Sequence, residues 1–384
     1  MAQFARKRRN SFRSLYSAIV KLCRAPLNEG VAATKADKYV KRYPSADFAL
    51  AMIFHFILGL SSLRELAINL TENKSLKRLV RMRGISSSHL PKLLHDRPPE
   101  LWAPLVAELM HRLAPADAPS NAWAIDATTL TLGAKLLARM TGKKLARKNA
   151  GAKLSAVVNL NDKRLAQFHI SMGSGHDAQY AGELLPADWQ IAGLTFVFDR
   201  GYRSYPFYRD LIRRKACLVT RECANDHFEP DRAIALDEAC PEIISDEIGM
   251  LGGTSLKDDE RMLMRRVTKR CDDGVELVFI TTHLDLSAAE VASLYQQRWV
   301  IEIFFRWLKS NVNLKRPLGY GLEPTMHTIL AALAVYCLTL LLAQWTPSPT
   351  TKRLIPRIAE AIQRLRARLY EKPRASELRA LGFL

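Results

Sequence analysis

Cysteine is scarce in this 384-residue chain: Cys23, Cys217, Cys223, Cys240, Cys271 and Cys337, none of them in C-x-x-C spacing. That excludes a disulfide-stapled scaffold and leaves no zinc-ribbon or thiol-redox pattern, so the six read as reduced side chains of a cytosolic protein. Glycine and proline, 18 of each, are too few for a collagen-like or low-complexity chain. No G-x-x-x-x-G-K run occurs, so ATP is not implied. The basic start MAQFARKRRNSF has no apolar stretch behind it of the kind a signal peptide needs. Acidic residues are the most telling shortage, because 38 Asp and Glu face 57 Lys and Arg and leave a net charge of +19. A polyanionic partner follows, nucleic acid ahead of anionic membrane.

Long apolar runs are also rare. One stands out, Ile329 to Trp345, with no charge between Glu323 and Lys352. It sits at the lower edge of membrane-spanning length, and its Thr339, Gln344 and close alanines suit packing against protein, so it reads as a buried core helix with no membrane partner.

What is present divides the chain. Residues 1–120 combine a basic arm with a helical pattern from Tyr39 to about Leu113, apolar at spacing three and four, and Ser87 to Leu94 has the form of the second helix of a helix-turn-helix. Scaffold bundle and DNA-binding domain both remain open for it. Across 121–221 the period changes: Ala122 to Leu132, Ala152 to Leu160 and Arg164 to Met172 are strand-like and form a meander, and helix and strand alternate after them, which predicts a mixed sheet covered by helices. Residues 222–280 read as a β-rich insertion. Residues 281–346 return to helix, with a capping-box spacing at Ser287 and Glu290, and 347–384 form a basic tail of nine Lys or Arg against three Glu.

Three carboxylates carry the chemistry. Asp126 interrupts an apolar strand, where a carboxylate must be paired, protonated or bound to a cation. Asp199 ends the run Thr195 to Phe198, at the carboxyl edge of a strand, where open α/β sheets bind ligands. Either alone is more often a structural ion pair or a helix cap than a ligand. The third, Glu302, belongs to a helix predicted to run unbroken from Ser287 and to be mostly buried, on which Tyr295, Arg298, Glu302 and Lys309 fall within an arc of roughly 60°. A plain Arg298–Glu302 ion pair would account for two of these four. Converging oxygen-only ligands select hard ions such as Mg²⁺, with Mn²⁺ able to substitute, and two such ions suit an in-line phosphoryl displacement.

The same residues resemble a family. Tyr295, Arg298, Glu302 and Lys309 meet every spacing of the Y-R-E-K signature, Asp126 lies in AIDATT, and Asp199 opens FDRGYRSY with Arg200 and Tyr202. The chain is similar, from about Asp37 to near Trp345, to the DDE transposases of bacterial insertion sequences, in the insertion-sequence-four family. It departs at Ser155, where many relatives carry His.

The resemblance implies a ribonuclease-H-like catalytic domain and an enzyme of the bacterial cytoplasm that cuts and rejoins transposon DNA. It makes Asp126, Asp199 and Glu302 the metal ligands, sets Tyr295, Arg298 and Lys309 on phosphates near the cleaved end, and offers Trp299, Arg200 and Tyr202 as further DNA contacts. The double-stranded partners would be the element's terminal inverted repeats and target DNA, held by a dimer in the active complex. Lys135 to Lys153 holds seven basic residues and no acidic one, and reads as an arm on DNA backbone through Lys143, Lys144, Lys148 and Lys153, or as a solvated loop. His176 and Asp177 follow the third strand, with Asp177 expected to cap the next helix. A catalytically silent DNA-binding protein and a plain nuclease of the same fold are the competing functions.

Overall fold

The computed structural model describes residues 15–344, apart from residue 83 and residues 115–120, 132–150, 173–175, 253–259, 312–313, 315–317 and 320. The chain divides into two compact units, one of residues 1–115, 130–150 and 306–384, the other of residues 116–129 and 151–305.

The second unit is built on one nine-stranded mixed sheet. Its strands are β1 (Ala122–Thr131), β2 (Gly151–Asn159), β3 (Leu165–Met172), β4 (Thr195–Phe198), β5 (Cys217–Arg221), β6 (Phe228–Ala233), β7 (Ile243–Leu251), β8 (Met262–Arg270) and β9 (Glu276–Thr281). They lie in the order β3-β2-β1-β4-β5-β9-β8-β7-β6. The β2–β3 pair is antiparallel, turned at Asn159 to Asp162 where the Asn159 side chain accepts from the Asn161 and Asp162 amides, and β1, β4 and β5 run parallel. This meander followed by parallel strands is the mixed sheet expected from the sequence. Parallel neighbours need a crossover, and between β4 and β5 it contains a short helix, Tyr205–Arg213, capped by Ser204 with Pro206 in its first turn. Every residue of β4 is buried, and Phe198 packs its ring on Tyr202, Phe207 and Tyr208. Trp123, Ile125, Val157, Phe196, Leu211 and Leu218 belong to the same core.

The β-rich stretch is not a separate sheet. Its four strands form an antiparallel meander that joins the main sheet by pairing β9 with β5. Inside it Arg265 and Asp246, each side chain 3% exposed, form a two-pronged ion pair at 2.7 Å on both arms. Arg265 also donates to the carbonyls of His283 and Leu286. The insertion therefore fixes the segment that opens the next helix. That helix begins with the expected capping box: Ser287 accepts from the Glu290 amide, and Glu290 accepts from the Ser287 amide.

The first unit contains the amino-terminal helices, among them Leu15–Thr34, Ser45–Ile57 and Ala103–Leu113, together with the apolar helix Leu322–Gln344, which packs on Ser45–Ile57 and Ala103–Leu113. The 18-residue apolar window of that helix is 94% buried in protein, and Thr325, Thr328 and Thr339 satisfy their hydroxyls on carbonyls four residues back. Ser87 to Leu94 leads into a helix of seven residues, Leu90–Asp96.

His327 on the apolar helix accepts from Trp102 Nε1 at Nδ1 (2.8 Å), so Nε2 carries the proton and donates to the Arg97 carbonyl (3.0 Å). Burial lowers its pKa to about 4, and does the same to His55. An unfolded histidine takes its proton near pH 6.5. As pH falls from there the unfolded chain gains protons first, and stability is lost down to the folded pKa. His327 alone should contribute a loss of about 2 to 3 kcal/mol by pH 4. Urea midpoints across that range should fall steeply for the wild type and less steeply for His327→Gln; identical slopes would assign the loss to other groups.

Candidate active site

The register of β1 on β4 pairs Ala124 with Val197 and Ile125 with Phe198. Asp126, within β1, therefore lies beside Asp199, the residue that follows β4 at its carboxyl end. Asp126 accepts from the Ala127 amide at 2.7 Å and Asp199 from the Gly201 amide at 2.8 Å. Burial pushes the Asp126 pKa up to about 6, and the neighbouring Asp199 adds to the rise; the Ala127 amide and Arg298 oppose it, while Asp177 acts with the burial.

Glu302 comes from helix α10 (Trp299–Asn311), preceded by helix α9 (Ala288–Gln297); the earlier helices among the described residues are α1 (Leu15–Thr34), α2 (Ser45–Ile57), α3 (Leu63–Glu72), α4 (Lys74–Val80), α5 (Leu90–Asp96), α6 (Ala103–Leu113), α7 (Ala181–Leu184) and α8 (Tyr205–Arg213). The unbroken helix expected from the sequence is interrupted at Arg298. There the Arg298 amide bonds to the Tyr295 carbonyl and the Ile301 amide to the Arg298 carbonyl, both spanning three residues, so the turn is tightened between the two segments. Burial is also narrower than expected: Val291 and Ala292 are the buried residues of α9, while Ile301, Phe304, Phe305, Trp307 and Leu308 are buried on α10. Trp299 remains 51% exposed.

Arg298 is the centre of the arrangement. Its guanidinium, with the side chain 14% exposed, donates to Asp126 Oδ2 at 3.1 Å and to Glu302 Oε1 at 2.6 Å. Burial disfavours its charge, but the bonds to Glu302 and Asp126 outweigh that and hold its pKa above the ordinary value. Its Nε makes no hydrogen bond, and the guanidinium lies 5.8 Å from the Tyr295 ring centroid. Tyr295 packs on Phe279 (5.0 Å). Lys269, Phe279, Tyr295, Arg298 and Trp299 line a cleft of about 380 Å³.

The other sequence candidates fall differently. Arg200 is exposed. Tyr202, expected as a DNA contact, is instead fully buried against Phe198, where its ring fills the core and offers no surface to a phosphate. Lys153 forms an ion pair with Asp177. Lys309 is half-buried on the part of α10 that groups with the first unit. Lys143, Lys144 and Lys148 lie outside the described residues.

Sequence reasoning takes Asp177 for a helix cap and not for a residue of the site. It is the first residue of the turn Asp177–Tyr180, whose N-cap is His176, and its carboxylate faces Gly201 and Asp199. Gly201 has no side chain to keep them apart: a Cβ there would lie 2.7 Å from Asp177 Oδ2 and 2.9 Å from Asp199 Oδ1. The only hint in the sequence is the His-Asp pair following the third strand.

The donor set suits a hard divalent cation, being carboxylate oxygens alone with Arg298 as an internal cation between two of them. Among the described residues no three Asp, Glu, His or Cys close around a single point. The guanidinium spanning Asp126 and Glu302 is therefore the cation that a metal ion would have to replace.

Comparison with known proteins bears on this geometry. Residues 118–338 match the family model described as the transposase DDE domain. A candidate transposase designated y4zB, of Sinorhizobium fredii, is 28% identical over 149 residues, 38% of this chain and 42% of the relative. A candidate transposase of an insertion sequence element, of Geobacillus stearothermophilus, is 25% identical over 230 residues, 60% of this chain and 57% of the relative. The chain thus spans about half the length of the curated relatives it matches. The piggyBac transposase in its synaptic complex with hairpin DNA superimposes with a TM-score of 0.45 at 11% identity, over 94% of this chain and 80% of that one, a likeness too weak to define a shared fold. The family model covers more than half of the chain and includes Asp126, Asp199 and Glu302, and the chain belongs to the transposase DDE domain family.

Proposed function

We propose that this protein is an insertion-sequence transposase of the Y-R-E-K branch, which binds the ends of its element, cleaves the phosphodiester there and transfers the freed end to target DNA. The observation that carries the reading is the register of β1 on β4, which sets Asp126 beside Asp199, combined with the Arg298 bridge from Asp126 to Glu302. Asp199 and Glu302 are each linked in this way to Asp126.

Asp126, Asp199 and Glu302 would hold divalent cations, Mg²⁺ or Mn²⁺, whose chemistry when bound is Lewis-acid activation of the attacking oxygen and stabilisation of the leaving one. The protein's own part is binding and orientation. Arg298 has to leave the carboxylates for cations to enter, and its two-pronged donor geometry suits a phosphate equally well. Tyr295 and Lys309 would add a neutral and a charged donor, and Trp299, a half-exposed ring of the cleft lining, would stack on an unpaired base. A dimer would bring two ends together. A catalytically silent DNA-binding protein would need no such gathering of carboxylates.

Cleavage of labelled end DNA in Mg²⁺, followed by a search for strand-transfer products, tests the reading; nicking without joined products would indicate a nuclease instead. The basic run gives a separate expectation. Neutralising Lys143, Lys144 and Lys148 together should flatten the slope of log affinity against log salt by about two to three units, at about 0.9 for each phosphate that is no longer neutralised. An unchanged slope would return that run to solvent.

A further inference from the structure

Asp177 is placed in a way that helix capping does not explain. Its carboxylate turns to the gap left by Gly201, where it meets Asp199. Two carboxylates facing one gap repel unless a cation offsets them. Lys153, 13% exposed, supplies one on the Asp177 side. A different group also points to a ligand here. Tyr202 is fully buried, and its hydroxyl and that of Ser155 face each other without completing a hydrogen bond of normal geometry. The Tyr202 hydroxyl lies within electrostatic reach of Asp177, Asp126 and Asp199. A wholly buried hydroxyl without a partner is an exception in folded proteins, and a hydrated cation among these carboxylates would give it one.

We propose that Asp177 is a fourth carboxylate of the divalent-cation site, with Lys153 as its counter-ion in the cation-free protein and Gly201 as the gap that lets it reach Asp199. The assignment rests on the reading of Asp126, Asp199 and Glu302 as cation-binding residues. It gives Gly201 a specific purpose, since any side chain at that position would push Asp177 and Asp199 apart. The ammonium of Lys153 balances Asp177 until a divalent cation takes that charge over.

Titration of the full-length, DNA-free protein with Mn²⁺, followed by electron paramagnetic resonance of the unbound ion, tests the proposal without any cleavage readout. Asp177→Asn should weaken Mn²⁺ binding about 10- to 100-fold. Lys153→Met should strengthen it, because a competing cation is removed. A structural salt bridge predicts something else: both variants melt lower and neither changes affinity, and that result would overturn the proposal. So would an Asp177→Asn protein that melts normally and binds Mn²⁺ within twofold of the wild type. If Asp177→Asn does not fold, Lys153→Met decides alone, and unchanged or weaker binding overturns the assignment. Asp126→Asn, Asp199→Asn and Glu302→Gln belong in the same series. Loss of binding in these three but not in Asp177→Asn rejects Asp177 and leaves the site intact, whereas full binding in all three rejects the site itself.

Discussion

Asp126→Asn, Asp199→Asn and Glu302→Gln are each expected to lower Mg²⁺-dependent end cleavage by about three orders of magnitude or more, equivalent to about 4 kcal/mol of transition-state stabilisation, while end binding stays within a few-fold of the wild type. The separation follows from what each change removes. An amide has nearly the shape of the carboxylate, so its oxygen can still accept from the Ala127 amide in the first variant and from the Gly201 amide in the second. What is lost is negative charge at a place where cations would have to gather. Binding to DNA, by contrast, draws on the basic surface of a chain with a net charge of +19.

The free protein supplies an internal check. Burial and Asp199 hold the Asp126 pKa near 6, so its ionised form is unfavourable in the absence of a cation. A raised carboxylate pKa means that the folded state holds its proton longer than the unfolded chain does, and stability from this group falls as pH rises from about 4 to about 6. At neutral pH, Asp126→Asn should therefore melt at or above the wild-type temperature in the absence of cation and DNA. Cleavage by any of the three variants at more than a tenth of the wild-type rate in Mg²⁺ would remove that residue from the site.

Arg298→Ala is expected to destabilise the DNA-free protein by about 2 to 3 kcal/mol, toward the lower end of what breaking a buried ion pair costs, because Glu302 is 31% exposed and solvent takes up part of the loss. The guanidinium is bonded to two carboxylates at once, Asp126 at 3.1 Å and Glu302 at 2.6 Å. Without it, both carboxylates lose that partner. Adding Glu302→Gln to Arg298→Ala should restore most of the lost melting temperature, and Mn²⁺ should raise the melting temperature of Arg298→Ala more than that of the wild type. The same variant should cleave poorly, since the group proposed to bind phosphate is gone. Had Arg298 pointed only at DNA, it would be solvated in the free protein and its removal would cost little stability. An unchanged melting temperature in Arg298→Ala would therefore show that the bridge contributes nothing in solution.

Much of this site can be read from the sequence, and the exceptions have physical reasons. Asp126 is conspicuous because a carboxylate within an apolar strand requires a partner, and Asp199 because it directly follows a four-residue strand that is wholly apolar after Thr195. Strand composition is enough to anticipate the meander and the parallel strands. The pairing of β9 with β5, which makes the insertion part of the main sheet, is a contact between residues some sixty positions apart, and no local pattern encodes it. The break at Arg298 escapes notice for a similar reason. Tyr295, Arg298 and Glu302 do share a stripe on an ideal helix, but the shorter hydrogen bonds at the junction occur with Arg298 drawn onto Asp126, a residue of another strand.

Asp177 and Tyr202 show the limits of residue type as a guide. An aspartate at the first position of a helical turn is a cap by default, and only the tertiary arrangement reveals that its carboxylate is turned toward Gly201 and Asp199. Tyr202 stands in a motif rich in polar residues, yet its ring completes the aromatic packing around Phe198 and is closed off from solvent. Lys153 likewise ends a one-sided basic run, and its pairing with Asp177 could not be anticipated from that run's charge.

The most direct test of the central claim, that these carboxylates form a phosphodiester-cleaving site, is to incubate the full-length protein with a DNA fragment carrying one end of its own element and to map the products in Mg²⁺ and in chelator. The account predicts a single Mg²⁺-dependent nick at the junction between element and flanking DNA, leaving a 3′ hydroxyl, and no covalent protein–DNA adduct. Tight, sequence-selective binding of that fragment with no nick in Mg²⁺ or Mn²⁺ would contradict it, and would mean that Arg298 holds Asp126 and Glu302 together for structure alone.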